Sequence, residues 1–258
     1  MTDSLRHRLY RTPAIVLQAR ELGEADRIFV VFTLVQGKTS VICKGARRAK
    51  SKLGPHLDNF SDVVLDLSRG RDLDVVTGVQ PVDQHPNLRQ DLVAYTYAGH
   101  FAELVRDLTQ ERQEHPGVFE LLGSSLALLD DGIDPWHVAR HFELRLLEAL
   151  GYRPELFRCV SCQREIEAEP NRFSSAVGGM LCPDCAHEDP SAPLLSVNAQ
   201  KYLRALARGG LASVIALRPS GDERHQVSQA MLAYVQFIGE REFRSLAALG
   251  AMEAGGPT

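Results

Sequence analysis

Between residues 13 and 80 the apolar positions fall into short runs: PAIVLQAR, RIFVVFTLV, KTSVICKG, SDVVLDLS and LDVVTGV. Val and Ile dominate them. SDVVLDLS and LDVVTG alternate apolar with polar positions, the two-residue period of a strand with one face buried. Turn-forming residues separate runs at 21–25, 36–37 and 68–71. The pattern predicts about five strands in ~70 residues with no long helix between them. That points to a small closed or partly closed barrel such as an oligonucleotide-binding fold, with an SH3-like barrel as the nearest rival.

After Pro81 and Pro86 the period changes. In LRQDLVAYTYAGHFAELVRDL the residues Leu88, Leu92, Tyr95, Phe101, Leu104 and Leu108 recur mostly at three- and four-residue steps, which predicts a helix over 88–108. A second helix is expected over 118–129. A third, DPWHVARHFELRLLEALG, should start with Asp134 as N-cap and Pro135 in the first turn and stop at Gly151; three successive helices imply a bundle. Periodicity is lost over 151–190 and returns in SVNAQKYLRALAR, where Ser196 or Asn198 could cap, and again over 222–246. The expected class is α+β: an N-terminal β-barrel over 1–81, then a mainly helical domain over 82–258.

A length of 258 residues suits two or three compact units. The apolar run at 14–17 is too short for a signal-peptide core or a membrane span, so a cytoplasmic protein with no membrane partner is expected. Charge is uneven. Residues 1–81 hold 13 Lys and Arg against 9 Asp and Glu, whereas 82–258 hold 16 against 24. The formal net charge of −4 therefore conceals a basic N-terminal part. Phosphate binding depends on the local field, so the acidic total does not exclude a nucleic-acid surface.

The stretch that loses helical period gains four cysteines, Cys159, Cys162, Cys182 and Cys185, spaced C-x2-C-x19-C-x2-C. Each pair forms a tight loop that can aim two sulfurs at one centre, and this is the spacing of a four-cysteine zinc site. Free thiols or two disulfides are the plainer reading, but reducing cytosol disfavours disulfides. A redox C-x2-C should open a helix in a βαβ context, which is missing. One structural Zn2+ is therefore expected in an element at about 155–190, with four thiolates leaving no open position for catalysis. His187 reads as a surface residue, and Cys43 as a small buried apolar one.

Residues 38–52 hold six basic residues and no acidic one: Lys38, Lys44, Arg47, Arg48, Lys50 and Lys52. Such a run is a solvated loop as often as a polyanion site. Its exit from a barrel strand favours the second reading, because loops of these barrels line grooves for single strands. Arg6, Arg8 and Arg11 ahead of the first strand, and Arg69 and Arg71 in a hairpin turn, extend the candidate track. Phe29 and Phe32 read as core and Phe60 lacks a clear partner, so no stacking residue is assigned.

The run GEADRIFVVFTLVQGKTSVICKGARRAKSKLGPHLDNFSDVVLDLSRGRDLDVVTG resembles the N-terminal domain of the RecO family of bacterial recombinational repair mediators. GE-x-D-R, the later G-K, K-G-A-R and the closing strands carry the resemblance, which continues through the helices and both C-x2-C pairs. The resemblance implies an oligonucleotide-binding domain, a helical domain and a zinc-binding element. It implies binding to ssDNA and dsDNA, annealing of complementary strands, and help in loading RecA with RecR on DNA coated by single-strand binding protein. RecF is a further candidate partner, and the location would be nucleoid-associated. Some relatives lack the four cysteines, which implies that the shared activity does not depend on zinc.

No enzymatic activity is expected. QGKTS lacks the first glycine of a phosphate loop, so no ATPase is implied. A metal-dependent nuclease would need clustered carboxylates or histidines, and neither these nor an H-E-x-x-H pair occurs. An adaptor without intrinsic annealing is the remaining alternative.

Overall fold

The computed structural model describes residues 9–254, so Arg6 and Arg8 lie outside the described residues. Five strands form the N-terminal sheet: β1 (Leu9–Leu22), β2 (Asp26–Thr33), β3 (Gly37–Cys43), β4 (Asp62–Ser68) and β5 (Asp74–Asp83). Their order is β1-β2-β3-β5-β4, and β4 pairs back to β1, which closes the barrel. β1 serves both neighbours because it is 14 residues long, and its register shifts between Val16 and Gln18 where it turns from one to the other. The β3–β5 pair is the parallel one, with Val41 opposite Asp74. This is the five-stranded ring of an oligonucleotide-binding fold.

The alternation predicted for SDVVLDLS is present in β4, with every second residue buried; in β5 it covers only Asp74 and Val76, and β3 alternates along its whole length. Ala14, Val16, Phe29, Val31, Val41, Cys43, Leu57, Leu65 and Leu67 form the barrel core. β2 does not alternate, because Val30 and Phe32 are buried as well as Phe29 and Val31. Helix α1 (Leu92–Leu108) lies against β1 and β2, and a strand covered on both faces reads as a continuous apolar run.

α1 begins four residues later than its apolar spacing suggests. Asp91 caps it by accepting from the Val93 and Ala94 amides, while Leu88 is buried from a preceding turn. Helix α2 (Pro116–Asp130) packs on α1.

The chain divides into two compact units, one ending at Gly132 and the next beginning at Ile133. The expected three-helix bundle is thus split. α1 and α2 belong with the barrel, because α1 spends its apolar face on β1 and β2.

The second unit contains α3 (Pro135–Ala149), α4 (Val197–Gly209), α5 (Gly221–Gly239), α6 (Arg244–Ala254) and a small sheet of β6 (Asn171–Ser174), β7 (Gly179–Leu181) and β8 (Leu194–Leu195) in the order β7-β6-β8. Asp134 caps α3 as expected, and of the two candidates for α4 it is Ser196, not Asn198, that caps. The helix expected over 222–246 is interrupted after Gly239, where Glu240 takes a left-handed backbone with φ of 50°. Trp136, Phe142, Leu203, Met231 and Tyr234 are buried in this unit, and the Trp136 indole donates to the Ser228 hydroxyl at 2.9 Å. No described helix is long and apolar enough to cross a membrane.

Candidate nucleic-acid interface and metal centre

β3 ends at Cys43, and the chain then folds into consecutive turns that carry the basic cluster. The Gly45 amide donates to the Asp26 carboxylate at 2.7 Å and the Arg47 amide to the Ala25 carbonyl at 2.9 Å, which ties the turns to the β1–β2 hairpin. Ala46 dips into the barrel core. The Arg48 amide bonds to Gly45, the Ser51 amide to Arg48, and the Gly54 amide to the Ser51 hydroxyl, so the loop is ordered by its own backbone. Lys44, Arg48, Lys50 and Lys52 project from it, exposed and without a carboxylate partner among the described residues.

Two members of the cluster are placed differently. Arg47 pairs with Glu21 at 3.2 Å and donates to the Gly23 carbonyl, so it fastens the hairpin. Lys38 directs its ammonium onto the Arg106 and Thr109 carbonyls. These are C-terminal carbonyls of α1, where a cation satisfies orphan acceptors and complements the helix dipole.

The hairpin arginines approach β3 along its other edge: the parallel register sets Val41 beside Asp74, so the turn at 69–73 enters the sheet two residues before β3 ends and the basic loop leaves after Cys43. Arg69 and Arg71 are both exposed, with Arg69 over the Tyr10 ring at 5.6 Å. Arg11 is paired to Asp66 at 3.8 Å. Phe29 and Phe32 are fully buried, and Phe60 packs edge-on against Tyr95 with centroids 5.0 Å apart.

The sulfurs of Cys159, Cys162, Cys182 and Cys185 converge to within 4.8 Å of one another, an arrangement that could hold a metal ion. Local backbone brings them there. The Gln163 amide bonds to the Cys159 carbonyl at 2.9 Å, with Gln163 left-handed at φ 61°, which closes the first C-x2-C turn. The β6–β7 hairpin delivers the second pair, and the Cys185 amide bonds to the Cys182 carbonyl at 3.0 Å. The hairpin can sit so close because residue 179 is glycine: a Cβ there would lie 2.4 Å from the Glu155 carbonyl oxygen. Phe173 of β6 packs on Tyr234 of α5 and anchors the element to the helices.

Arg164 is a site residue that spacing alone does not reveal. Its guanidinium reaches the Cys162 sulfur at 3.4 Å, the Cys182 sulfur at 3.8 Å and the Asp184 carboxylate at 2.5 Å. That contact holds the Cys162 thiol down at about 6. Cys185 goes the other way. The Ser161 hydroxyl lowers it, but burial and hydrogen bonding to the other sulfurs push it up to about 12. Four sulfurs this close resist ionising together, and a bound dication is what makes four thiolates compatible. His187 bonds to the Asp184 carbonyl at the surface and is not one of the four.

Family models match both parts of the chain: "Recombination protein O N terminal" over residues 7–85 and "Recombination protein O C terminal" over residues 89–247. The chain is 40% identical over 245 residues to a protein of Roseiflexus sp. strain RS-1 named "DNA repair protein RecO", covering 95% of this chain and 86% of that one. It is 36% identical over 240 residues to the protein of that name from Symbiobacterium thermophilum, covering 92% and 95%. A relative in Dehalococcoides mccartyi strain 195, with the same name, is 34% identical over 237 residues, covering 92% and 93%.

Proposed function

The chain belongs to the RecO family of DNA repair proteins, and on that premise we propose that it is a mediator of recombinational repair. It binds ssDNA and dsDNA without regard to sequence, anneals complementary strands, and works with RecR to load RecA on DNA coated by single-strand binding protein. RecF is a further candidate partner.

The observation that carries this reading is the folded loop after β3, with Lys44, Arg48, Lys50 and Lys52 exposed and unneutralised. Lysines and arginines on ordered backbone contact phosphates and read no base edge. Two DNA strands repel one another, and a surface that neutralises both backbones lowers that barrier while leaving the bases free to pair. The pairing itself supplies the free energy. In barrels of this kind the β2–β3 face and the β4–β5 turn bind oligonucleotides. A strand passing from Arg69 and Arg71 to the loop would use both parts of the track.

The four cysteines are proposed to hold one structural Zn2+. Zn–S bonds of ~2.3 Å place tetrahedral sulfurs about 3.8 Å apart, and Cys162 and Cys182 stand at 3.8 Å. The ion would secure the element on the helical unit and take no part in DNA chemistry.

Annealing of two labelled complementary oligonucleotides by the purified protein tests the proposal. Faster pairing without ATP supports it; no acceleration leaves the adaptor reading, and cleavage of labelled DNA with Mg2+ would favour a nuclease.

A further inference from the structure

In the second unit, α4 presents Lys201, Arg204 and Arg208 along one wall of a recess of about 430 Å3. Positions i, i+3 and i+7 lie on one helix face, and seven residues at ~1.5 Å spread the charges over about 10 Å. The opposite wall is the approach to the first C-x2-C, with Phe157 and Arg158. Four cations meet there against the single carboxylate of Glu165.

The recess is held open by specific contacts. The Arg208 guanidinium lies 4.5 Å above the Phe157 ring and that of Arg204 lies at 5.9 Å. Arg204 also donates to the Leu156 carbonyl at 2.8 Å, which fixes its stem. None of the four cations forms an ion pair with a carboxylate among the described residues. Burial and the neighbouring charge of Arg208 both lower the affinity of Arg204 for its proton, the mark of like charges held together. An uncompensated cluster of this kind is relieved by an anion.

We infer that this recess is a second phosphate-binding site, taking the sugar–phosphate backbone of a DNA strand on the helical unit. The inference rests on the reading that the protein binds DNA. A run of charge of about 10 Å exceeds the reach of one phosphate and suits successive phosphates along a strand. An acidic peptide fits less well. Anchored peptides bury apolar side chains, and here Phe157 is covered by guanidiniums while Ile166 is buried in the wall. With a site on each unit, one molecule can hold two strands, the arrangement that annealing requires.

The test uses the full chain and a fluorescent single-stranded oligonucleotide whose binding is followed by anisotropy across a salt series. Lys201→Glu with Arg208→Glu reverses two exposed charges that make no bond to the backbone. The expected result is weaker binding, a salt slope shallower by about 1.4 for two lost single-strand contacts, and loss of energy transfer between two differently labelled strands. Lys201→Arg with Arg208→Lys should behave as the wild type, and Lys201→Gln with Arg208→Gln serves if charge reversal lowers the melting temperature. Wild-type affinity, slope and strand bridging in the reversed variant overturn the inference while DNA binding stands. A wild-type protein that binds no DNA removes the underlying reading instead. Loss of binding to a polyglutamate peptide, with DNA binding unchanged, overturns the inference in favour of an acidic protein partner.

Discussion

Gly54 lies so close to Ala46 that a Cβ at Gly54 would stand 2.1 Å from the Ala46 carbonyl oxygen. The close approach closes the basic loop at its far end, as the Asp26 carboxylate closes it at Gly45. A loop held at both ends presents its cations already arranged and loses little freedom when it binds.

Gly54→Ala should therefore open the loop. The expected outcome is a larger loss of DNA affinity than removal of any single lysine from it, with the barrel still folded by circular dichroism. Anisotropy with a labelled oligonucleotide measures the first and thermal melting the second.

Lys38 belongs to the same basic run and should behave differently. Its ammonium satisfies two carbonyls at the end of α1, and leaving buried acceptors unpaired costs about 1–3 kcal/mol. Lys38→Met should lower stability by that order in urea unfolding while changing DNA affinity less than twofold. A large affinity loss at unchanged stability would return Lys38 to the DNA surface.

Metal analysis of untagged protein should find one zinc per chain. Cys182→Ser should remove it and destabilise the second unit by several kcal/mol, since metal binding at such a site is coupled to folding. Chelator treatment should release the metal with a parallel fall in melting temperature. A metal-free protein of unchanged melting temperature would contradict the site.

Two histidines predict opposite responses to pH. Burial, with the Arg145 charge beside it, holds His141 of α3 down at about 4, below the ~6.5 of an unfolded chain. A lowered folded pKa gives stability that is complete above 6.5 and lost as the pH falls towards 4. His85 is buried too, which by itself lowers its pKa, but Asp62, Asp83 and Asp130 outweigh burial and raise it. Its ring nitrogens stand 3.6 and 3.7 Å from Asp62 and Asp83, so the attraction is ionic. That contribution is complete below 6.5 and lost as the pH rises through the raised value. Melting curves from about pH 4 to 9 should show His141→Gln flattening the acid limb and His85→Gln the alkaline one.

The strands were legible because alternation such as that of β4 is a local record of which face is buried. The cap at Asp134 was legible, and that of α4 narrowed to Ser196 or Asn198, because a side-chain oxygen at a helix start has one job. The start of α1 was not, since Leu88 is buried by tertiary packing ahead of the helix and extends the apolar period past the true cap at Asp91. Nor does spacing show the break at Glu240, a left-handed residue without glycine. In the site, the cysteine spacing carried its own geometry. The basic run did not, because charge along a sequence does not say which cation is taken up by the protein itself, as Lys38 is by helix-end carbonyls and Arg47 by Glu21. Arg204 and Arg208 lie in a segment that the sequence marks only as a helix, and their stacking on Phe157 joins residues about fifty positions apart.

The central claim is that the loop after β3 binds phosphates whatever the bases. Arg48→Glu with Lys50→Glu, titrated with salt against single- and double-stranded oligonucleotides of several sequences, tests it most directly. The account predicts weaker binding to every sequence and a salt slope shallower by about 1.4 for single strands and about 1.8 for duplex. Affinity and slope equal to those of the wild type would contradict it.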